Sequence, residues 1–196
     1  MPREPLLIVD DDPFVLGLLV HVAESRGLAV VGVASSDEAV AAAERQAPSC
    51  AIVDLRMPGP SGLTLVKRLK ALRPGALLLD GGDTWQGSAT SLWTNAQDMV
   101  DAAKLLGVDI MTLHWECTYG ADRVMEISNK DFVGHIDIVA QNIKTADFGD
   151  PVFKPYVMRQ INGVSCAIIG QAFPYTPIAN PRYFVADWEF GIQEQN

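Results

Sequence analysis

Short apolar runs alternate with amphipathic stretches along the first 75 residues. The apolar runs are Leu6 to Val9, Leu28 to Val33 and Cys50 to Val53. The stretches with helical periodicity are 14–26, 37–46 and 63–72. This alternation predicts a βαβαβα arrangement around a parallel sheet.

The pattern changes after a fourth apolar run, Ala76 to Leu79, which ends in the sequence Asp-Gly-Gly-Asp. Beyond it, residues 95–106 predict a helix and residues 108–112 predict a strand. The apolar segments 156–161 and 164–169 flank an Asn-Gly pair, which is typical of a two-residue hairpin turn. We therefore expect an α/β fold with a parallel sheet, continued into a second α/β segment that ends in a β-hairpin.

Composition allows either one large domain or two small ones, because the 196 residues are 48% hydrophobic. The net charge of -9 belongs almost wholly to the later part of the chain: up to residue 75 there are 8 basic and 9 acidic residues, and beyond it 7 and 15. No stripe of Lys and Arg is present. We therefore expect neither nucleic acid nor a membrane surface as a partner.

Three widely spaced cysteines fit neither a disulfide framework nor a zinc site, so we expect free thiols. The first apolar run is too short for a signal sequence or a membrane span. The sequence alone thus predicts a cytoplasmic protein.

Aspartates follow two of the predicted strands. Asp10 and Asp11 come directly after the first strand, and Asp54 comes directly after the third. Because the carboxyl ends of parallel strands meet at one edge of the sheet, these three carboxylates should converge there. Converging carboxylates favour a hard cation such as Mg²⁺, beside which one of them could act as a nucleophile toward phosphorus.

The segments around these aspartates, Ile8 to Pro13 and Val53 to Leu63, resemble the receiver domain of response regulators. The resemblance covers residues 1–75, the N-terminal half of such a domain. It implies that Asp10, Asp11 and Asp54 bind Mg²⁺ and that Asp54 is the phospho-acceptor. The implied partner is a histidine kinase or another phosphodonor. Receivers also have a Ser or Thr after the fourth strand, where this chain has Asp80, and a Lys after the fifth.

The remaining residues, 76–196, resemble an interior segment of the SoxB thiosulfohydrolases, within the calcineurin-like metallophosphoesterase and 5′-nucleotidase superfamily. The matching segments are Leu77 to Ser88, Trp93 to Met99, His114 to Gly120, Ala140 to Ile143 and Ile168 to Thr176. The resemblance implies a dinuclear Mn²⁺ site with Asp83 and His114 as ligands and with Glu116 and Asn142 in supporting roles. A sulfur-carrier protein would be the partner if this part is functional.

Other ligands of that family have no counterpart here. Receiver-like sequence replaces the Asp-x-His motif of the first strand, and no histidine follows His135. Because two ligands seldom hold two ions, we expect no substantial hydrolysis.

The sequence pattern changes near Gly75 and Ala76, and this change predicts two domains, 1–75 and 76–196. It falls inside an apolar run, so a continuous parallel sheet across it is physically possible, and we expect one α/β body. Three functions remain open: a degenerate receiver-type module that binds Mg²⁺ and accepts phosphate at Asp54, a fragment of a Mn²⁺-dependent thiosulfohydrolase or phosphoesterase, or a chimeric chain without evolved activity.

Overall fold

The computed structural model describes residues 4–191, in which two compact units meet between Ala76 and Leu77. The strands of the first unit are β1 (Leu6–Val9), β2 (Val30–Val33) and β3 (Cys50–Val53). Its helices are α1 (Pro13–Ser25), α2 (Ser36–Gln46) and α3 (Gly62–Leu72). The sheet is parallel with the order β2-β1-β3. The predicted βαβαβα arrangement is confirmed.

Side-chain caps begin the three helices. The Asp12 carboxylate accepts hydrogen bonds from the backbone N–H groups of Phe14 (2.8 Å) and Val15 (3.2 Å), which have no partner inside α1. Ser35 and Ser61 cap α2 and α3 in the same way. The boundaries of these helices therefore follow from the sequence next to them.

The core of the first unit lies on one face of its sheet, where α2 and α3 pack. The buried apolar residues on this face are Leu7, Val9, Ala39, Val40, Ala42, Ala43, Met57 and Leu65. Helix α1 covers the other face at Gly32, where an added Cβ atom would lie 2.9 Å from the Val20 side chain. Phe14 and Leu18 of α1 stay exposed, as does Ile52 of β3.

The second unit contains shorter elements. Its strands are β4 (Leu79–Asp80), β5 (Ile110–Met111), β6 (Asp137–Ile138), β7 (Ile143–Thr145), β8 (Tyr156–Ile161), β9 (Val164–Ile169) and β10 (Trp188–Phe190). Its α-helices are α4 (Ala89–Trp93), α5 (Gln97–Leu106), α6 (Ala121–Glu126) and α7 (Thr176–Ala179). 3-10 helices span Glu116–Tyr119 and Arg182–Val185, and a π-helical turn spans Ile127–Asp131.

Three small sheets form this unit. Strands β4, β5 and β6 are parallel, β7 pairs antiparallel with β10, and β8 pairs antiparallel with β9. The predicted hairpin is confirmed, with Asn162 (φ 51°) and Gly163 (φ 78°) both at the positive φ that its two-residue turn requires. The core between these sheets and helices is rich in aromatic side chains, including Trp85, Phe132 and Trp188.

The expected single α/β body is instead two compact units, and no sheet of residues 4–191 continues across the junction. Strand β4 pairs with β5 of the second unit and forms a sheet separate from that of β1, β2 and β3. The Asp109 carboxylate accepts a hydrogen bond from Leu78 N (2.7 Å), and the Leu78 carbonyl accepts one from Asp109 N (2.9 Å). These bonds attach the backbone that follows the junction to the second unit. Among the helices of residues 4–191, none is long and apolar enough to cross a membrane.

Candidate functional site

The receiver-like carboxylates lie at the carboxyl edge of the first sheet. Val9 of β1 stands opposite Val53 of β3, and Asp54 N donates to the Val9 carbonyl at 2.9 Å. Asp10 and Asp54 therefore follow register-matched residues of neighbouring strands. Both are half-buried, and Asp11 is exposed.

Local turns hold the two half-buried carboxylates. Asp10 Oδ1 accepts a hydrogen bond from Asp12 N (2.9 Å), and Asp54 Oδ2 accepts one from Arg56 N (3.0 Å). Within residues 4–191 no three Asp, Glu, His or Cys side chains are grouped so that they could hold a metal ion. The donor chemistry still fits Mg²⁺, which needs only one or two carboxylates together with waters and a phosphate group.

The loop after Asp54 depends on Gly62, the first residue of α3. A Cβ atom there would lie 2.1 Å from the Asp54 carbonyl oxygen, a distance that no side chain tolerates. Gly62 N also donates to the Leu55 carbonyl at 3.1 Å. The glycine thus lets the helix begin directly against the backbone of the proposed phospho-acceptor.

Thr84, Lys104 and Lys154, which follow the receiver-like segment, all have partners within the second unit. The Thr84 hydroxyl donates to Asp80 Oδ2 at 3.1 Å. Lys104 pairs with Asp101 (3.2 Å), and Lys154 pairs with Asp137 (2.9 Å). Each of these side chains therefore has a local role within its own unit.

The two metal motifs of the second unit approach each other closely. Asp83 lies in the left-handed region (φ 68°) directly after Gly82 (φ 86°). A Cβ atom on Gly82 would lie 2.8 Å from His114 N. Gly82 thus lets the loop of Asp83 lie directly against the loop that carries His114.

A buried carboxylate joins these two loops. Glu116 is fully buried, and it accepts hydrogen bonds from Thr84 N (2.8 Å) and His114 N (2.6 Å). Burial raises the pKa of Glu116 and the nearby Asp80 charge adds to this, while the two N–H groups act in the opposite direction. The supporting role predicted for Glu116 stays a prediction, and its contacts give that role a physical basis.

Asp80 shapes the turn that leads to Asp83. Its carboxylate accepts from Gly82 N (2.9 Å) and from the Thr84 hydroxyl, and burial raises its pKa. The sequence interpretation considered Asp80 only as a departure from the receiver pattern. The signal that could have identified its role is the Asp-Gly-Gly sequence, since Asp side chains often bond to the backbone two residues later.

The His114 ring stacks on Phe173, with ring centroids 4.4 Å apart. Its Nδ1 atom is buried and has no hydrogen-bond partner among the residues that the structure describes. A buried nitrogen without a partner is costly in free energy, so this atom is a candidate ligand. The Asp83 carboxylate accepts a hydrogen bond from the Gln86 side-chain amide.

The buried side chain of Asn142 joins two other segments of the second unit through hydrogen bonds. Its side-chain amide accepts from Ala172 N (2.8 Å) and donates to the carbonyls of Ala172 (2.9 Å) and Gly191 (3.1 Å). Asp83 and His114 remain the two candidate Mn²⁺ ligands. Two ligands do not fit a dinuclear site, so no hydrolytic step through such a site follows from these residues.

Comparison with known proteins gives two separate likenesses, one to receiver domains and one to SoxB. Residues 6–79 match the family model of the response regulator receiver domain. The acid tolerance regulatory protein ActR of Rhizobium meliloti is 39% identical over 72 residues, which are 37% of this chain and 37% of that protein. FixJ of Azorhizobium caulinodans is 40% identical over 72 residues, 36% of this chain and 34% of FixJ.

The solved structure of the sulfate thiohydrolase SoxB from Thermus thermophilus is 34% identical, with a TM-score of 0.62 over 67% of this chain and 24% of the SoxB chain. The NAD nucleotidase NadN of Haemophilus influenzae shares the fold at 17% identity, with a TM-score of 0.54 over 65% of this chain and 25% of that one. The chain thus spans about a third of its curated relatives and a quarter of SoxB. It is a composite, similar to receiver domains in its first unit and to SoxB in the rest.

Proposed function

We propose that the first unit is a receiver-type module in which Asp54 accepts a phosphoryl group from a histidine kinase or a small acyl phosphate. Asp10, Asp11 and Asp54 would hold the Mg²⁺ ion. The observation that carries this proposal is the register of β1 and β3, which places Asp10 and Asp54 after paired residues at one edge of the sheet. The receiver match over residues 6–79 supports it.

The proposed reaction needs one carboxylate oxygen of Asp54 as the nucleophile. This oxygen attacks phosphorus. With an acyl phosphate, the bond from phosphorus to the acyl oxygen breaks and the leaving carboxylate takes the electron pair; with a phosphohistidine, the P–N bond breaks and the imidazole nitrogen takes it. Bound Mg²⁺ would supply positive charge to the phosphoryl oxygens. Because the receiver hydroxyl and lysine have no counterpart in the first unit, stabilisation of the transition state is reduced and the reaction is slow.

Metal binding is tested first, by Mg²⁺ titration of the full chain followed by amide NMR. All four tryptophans lie after residue 84, so their fluorescence does not report directly on this site. We expect shifts of the amides near Asp10 and Asp54 that disappear in Asp11→Asn. The control Glu44→Gln removes an exposed carboxylate of α2 and should leave the shifts unchanged. Shifts that survive in Asp11→Asn would contradict the proposed ion site.

Phosphoryl transfer is tested with acetyl phosphate and intact-protein mass spectrometry. We expect one phosphoryl increment in the wild-type chain and none in Asp54→Asn. Asp37→Asn, which changes an exposed carboxylate of α2, should keep the increment. A wild-type chain that gains no phosphoryl group, or an increment that persists in Asp54→Asn, would exclude Asp54 as the acceptor.

The buried and unpartnered Nδ1 of His114 favours a second candidate, a SoxB-like remnant that binds Mn²⁺. We propose that Asp83 and His114 bind a single Mn²⁺ weakly, without substantial hydrolysis of phosphate esters or thiosulfonates. Association with a sulfur-carrier protein would then depend on this segment alone. In an Asp11→Asn background, which lacks the proposed Mg²⁺ site of the first unit, electron paramagnetic resonance of free Mn²⁺ should show binding that His114→Ala removes and that His135→Ala, at an exposed histidine, retains. Turnover that requires Mn²⁺ and is lost in Asp83→Ala would refute the absence of hydrolysis.

A further inference from the structure

The outer edge of the hairpin formed by β8 and β9 carries unpaired backbone groups. Strand β9 pairs with β8 on one side, and within residues 4–191 no strand pairs with its other side. Gly170 N donates to the Pro155 carbonyl on the β8 side (3.2 Å), so the even-numbered residues of β9 direct their backbone groups toward β8. The N–H and C=O groups of Ser165, Ala167 and Ile169 therefore point away from the hairpin.

This edge lacks three features that commonly prevent strand pairing. The six residues of β9, Val164–Ile169, include no charge, no proline and no bulge. Val164 and Ile169 are each 61% exposed. A neutral six-residue strand with an open edge is a template for another extended strand, because its backbone groups still require partners.

One face of the hairpin extends this neutral surface. Cross-strand pairing places Tyr156 opposite Ile169, Met158 opposite Ala167, and Gln160 opposite Ser165. These residues are all exposed and uncharged, while Val157 and Ile168 on the other face pack against Ile110 and Val139. The exposed face thus continues the open edge with side chains that carry no charge.

We propose that β9 pairs antiparallel with β9 of a second copy of this chain, about a two-fold axis at Ala167. This register pairs Ala167 with itself and Ser165 with Ile169, so all outward N–H and C=O groups of both strands are used. The two hairpins then form one four-stranded sheet. A second copy meets the requirement because the edge is complementary to itself, as an isologous interface must be.

The net charge of the chain also favours this surface over others for self-association. Each chain carries a net charge of -9, so two copies repel one another wherever their acidic residues meet. The edge of β9 and the face beside it form a continuous surface without acidic residues in the acidic part of the chain. Contact there brings two acidic molecules together without placing like charges opposite each other.

Sedimentation velocity over a range of concentrations tests the proposal on the full chain. We expect a reversible monomer–dimer equilibrium whose Kd rises by roughly tenfold in Ala167→Lys, since two lysines would stand directly opposite each other. Ala167→Pro removes one outward N–H without affecting the bonds to β8, and it should weaken the dimer as well. The matched control is Val133→Lys, which adds the same charge at an exposed position outside the hairpin and should leave Kd unchanged.

Hydrogen exchange of the wild-type chain gives a test that needs no variant. The amides of Ser165, Ala167 and Ile169 should gain protection as concentration rises, while those of Val164, Cys166 and Ile168 are protected throughout. A wild-type chain that stays monomeric, a dimer in which the three outward amides remain unprotected, or open-ended growth into fibres would each overturn the two-fold interface.

Discussion

The two units have the same fold class but enclose their apolar residues to different degrees. In the first unit the described core on the α2 and α3 face consists of aliphatic residues and one methionine. In the second unit the core includes Trp85, Phe132, Phe153 and Trp188. The first unit also leaves Phe14 exposed on α1. Large aromatic side chains bury more area, so the second unit should contribute most of the stability.

The two candidate sites also differ in how far along the chain their hydrogen-bond partners lie. In the first unit, the carboxylates of Asp10 and Asp54 accept hydrogen bonds from residues two positions later. In the second unit, Glu116 accepts from Thr84 N, 32 residues earlier in the chain. The first site thus depends on strand register and local turns, and the second depends on the complete tertiary fold.

Separating the two units should have the largest effect on stability. We expect residues 1–75 alone to be insoluble or molten, because three strands leave an open sheet edge and α1 leaves apolar residues uncovered. Residues 77–196 alone should melt cooperatively, since their aromatic core lies within that range. Calorimetry and near-ultraviolet circular dichroism of both fragments measure this. A monomeric 1–75 fragment that unfolds cooperatively would contradict the expectation that the second unit contributes most of the stability.

Thiol labelling measures the same contrast inside the intact chain. Cys117 is fully buried, and burial raises the pKa of its thiol to about 12, so the folded second unit should block its alkylation almost completely. Cys50 is the exposed first residue of β3. Partial burial of its thiol raises its pKa as well, so it should react in the folded chain more slowly than a free cysteine but much faster than Cys117. In a Cys166→Ser background, labelling in increasing denaturant should modify Cys50 first. Equal labelling rates under native conditions would show that the second unit does not protect its core.

The sequence was most informative where structure is local. The alternation of apolar and amphipathic stretches predicted all six elements of the first unit, and Asn162-Gly163 predicted the hairpin, because periodicity and turn chemistry act over a few residues. The pairing of β4 with β5 was missed because Leu78 and Asp109 are 31 residues apart. The position of Glu116 between two loops was likewise beyond local reasoning, and only resemblance suggested a supporting role.

Removal of the Glu116 carboxylate should have the next largest effect on the free energy of unfolding. Glu116→Ala leaves the N–H groups of Thr84 and His114 without their acceptor in a buried site, so the free energy of unfolding should fall by roughly 3 kcal/mol. Glu116→Gln keeps one acceptor oxygen and should cost less. Glu189→Ala, at an exposed position of β10, serves as the control. Denaturant unfolding of the full chain provides the measurement, and equal stability of Glu116→Ala and Glu189→Ala would rule out a bridging role.

The smallest effect concerns Asp137, at the start of β6. The Lys154 ammonium and then the Arg159 guanidinium hold the pKa of Asp137 below its ordinary value of 3.8. A carboxyl whose pKa is lower in the folded state contributes stability above its unfolded pKa, and this contribution is lost as pH falls through the folded pKa. Because solvent screens the three side chains, Asp137→Asn should cost less than about 1 kcal/mol near neutral pH.

The dependence on pH distinguishes this ion pair from a packing effect. The destabilisation by Asp137→Asn should disappear in acid, where the wild-type carboxyl is protonated and its attraction to Lys154 is lost. Asp150→Asn, at an exposed position, should match the wild type at every pH. Parallel thermal melts of the three proteins across the acid range provide the test. A cost for Asp137→Asn that is constant with pH would assign the effect to shape and hydrogen bonding at β6, and the charge of Asp137 would then contribute nothing measurable to the second unit.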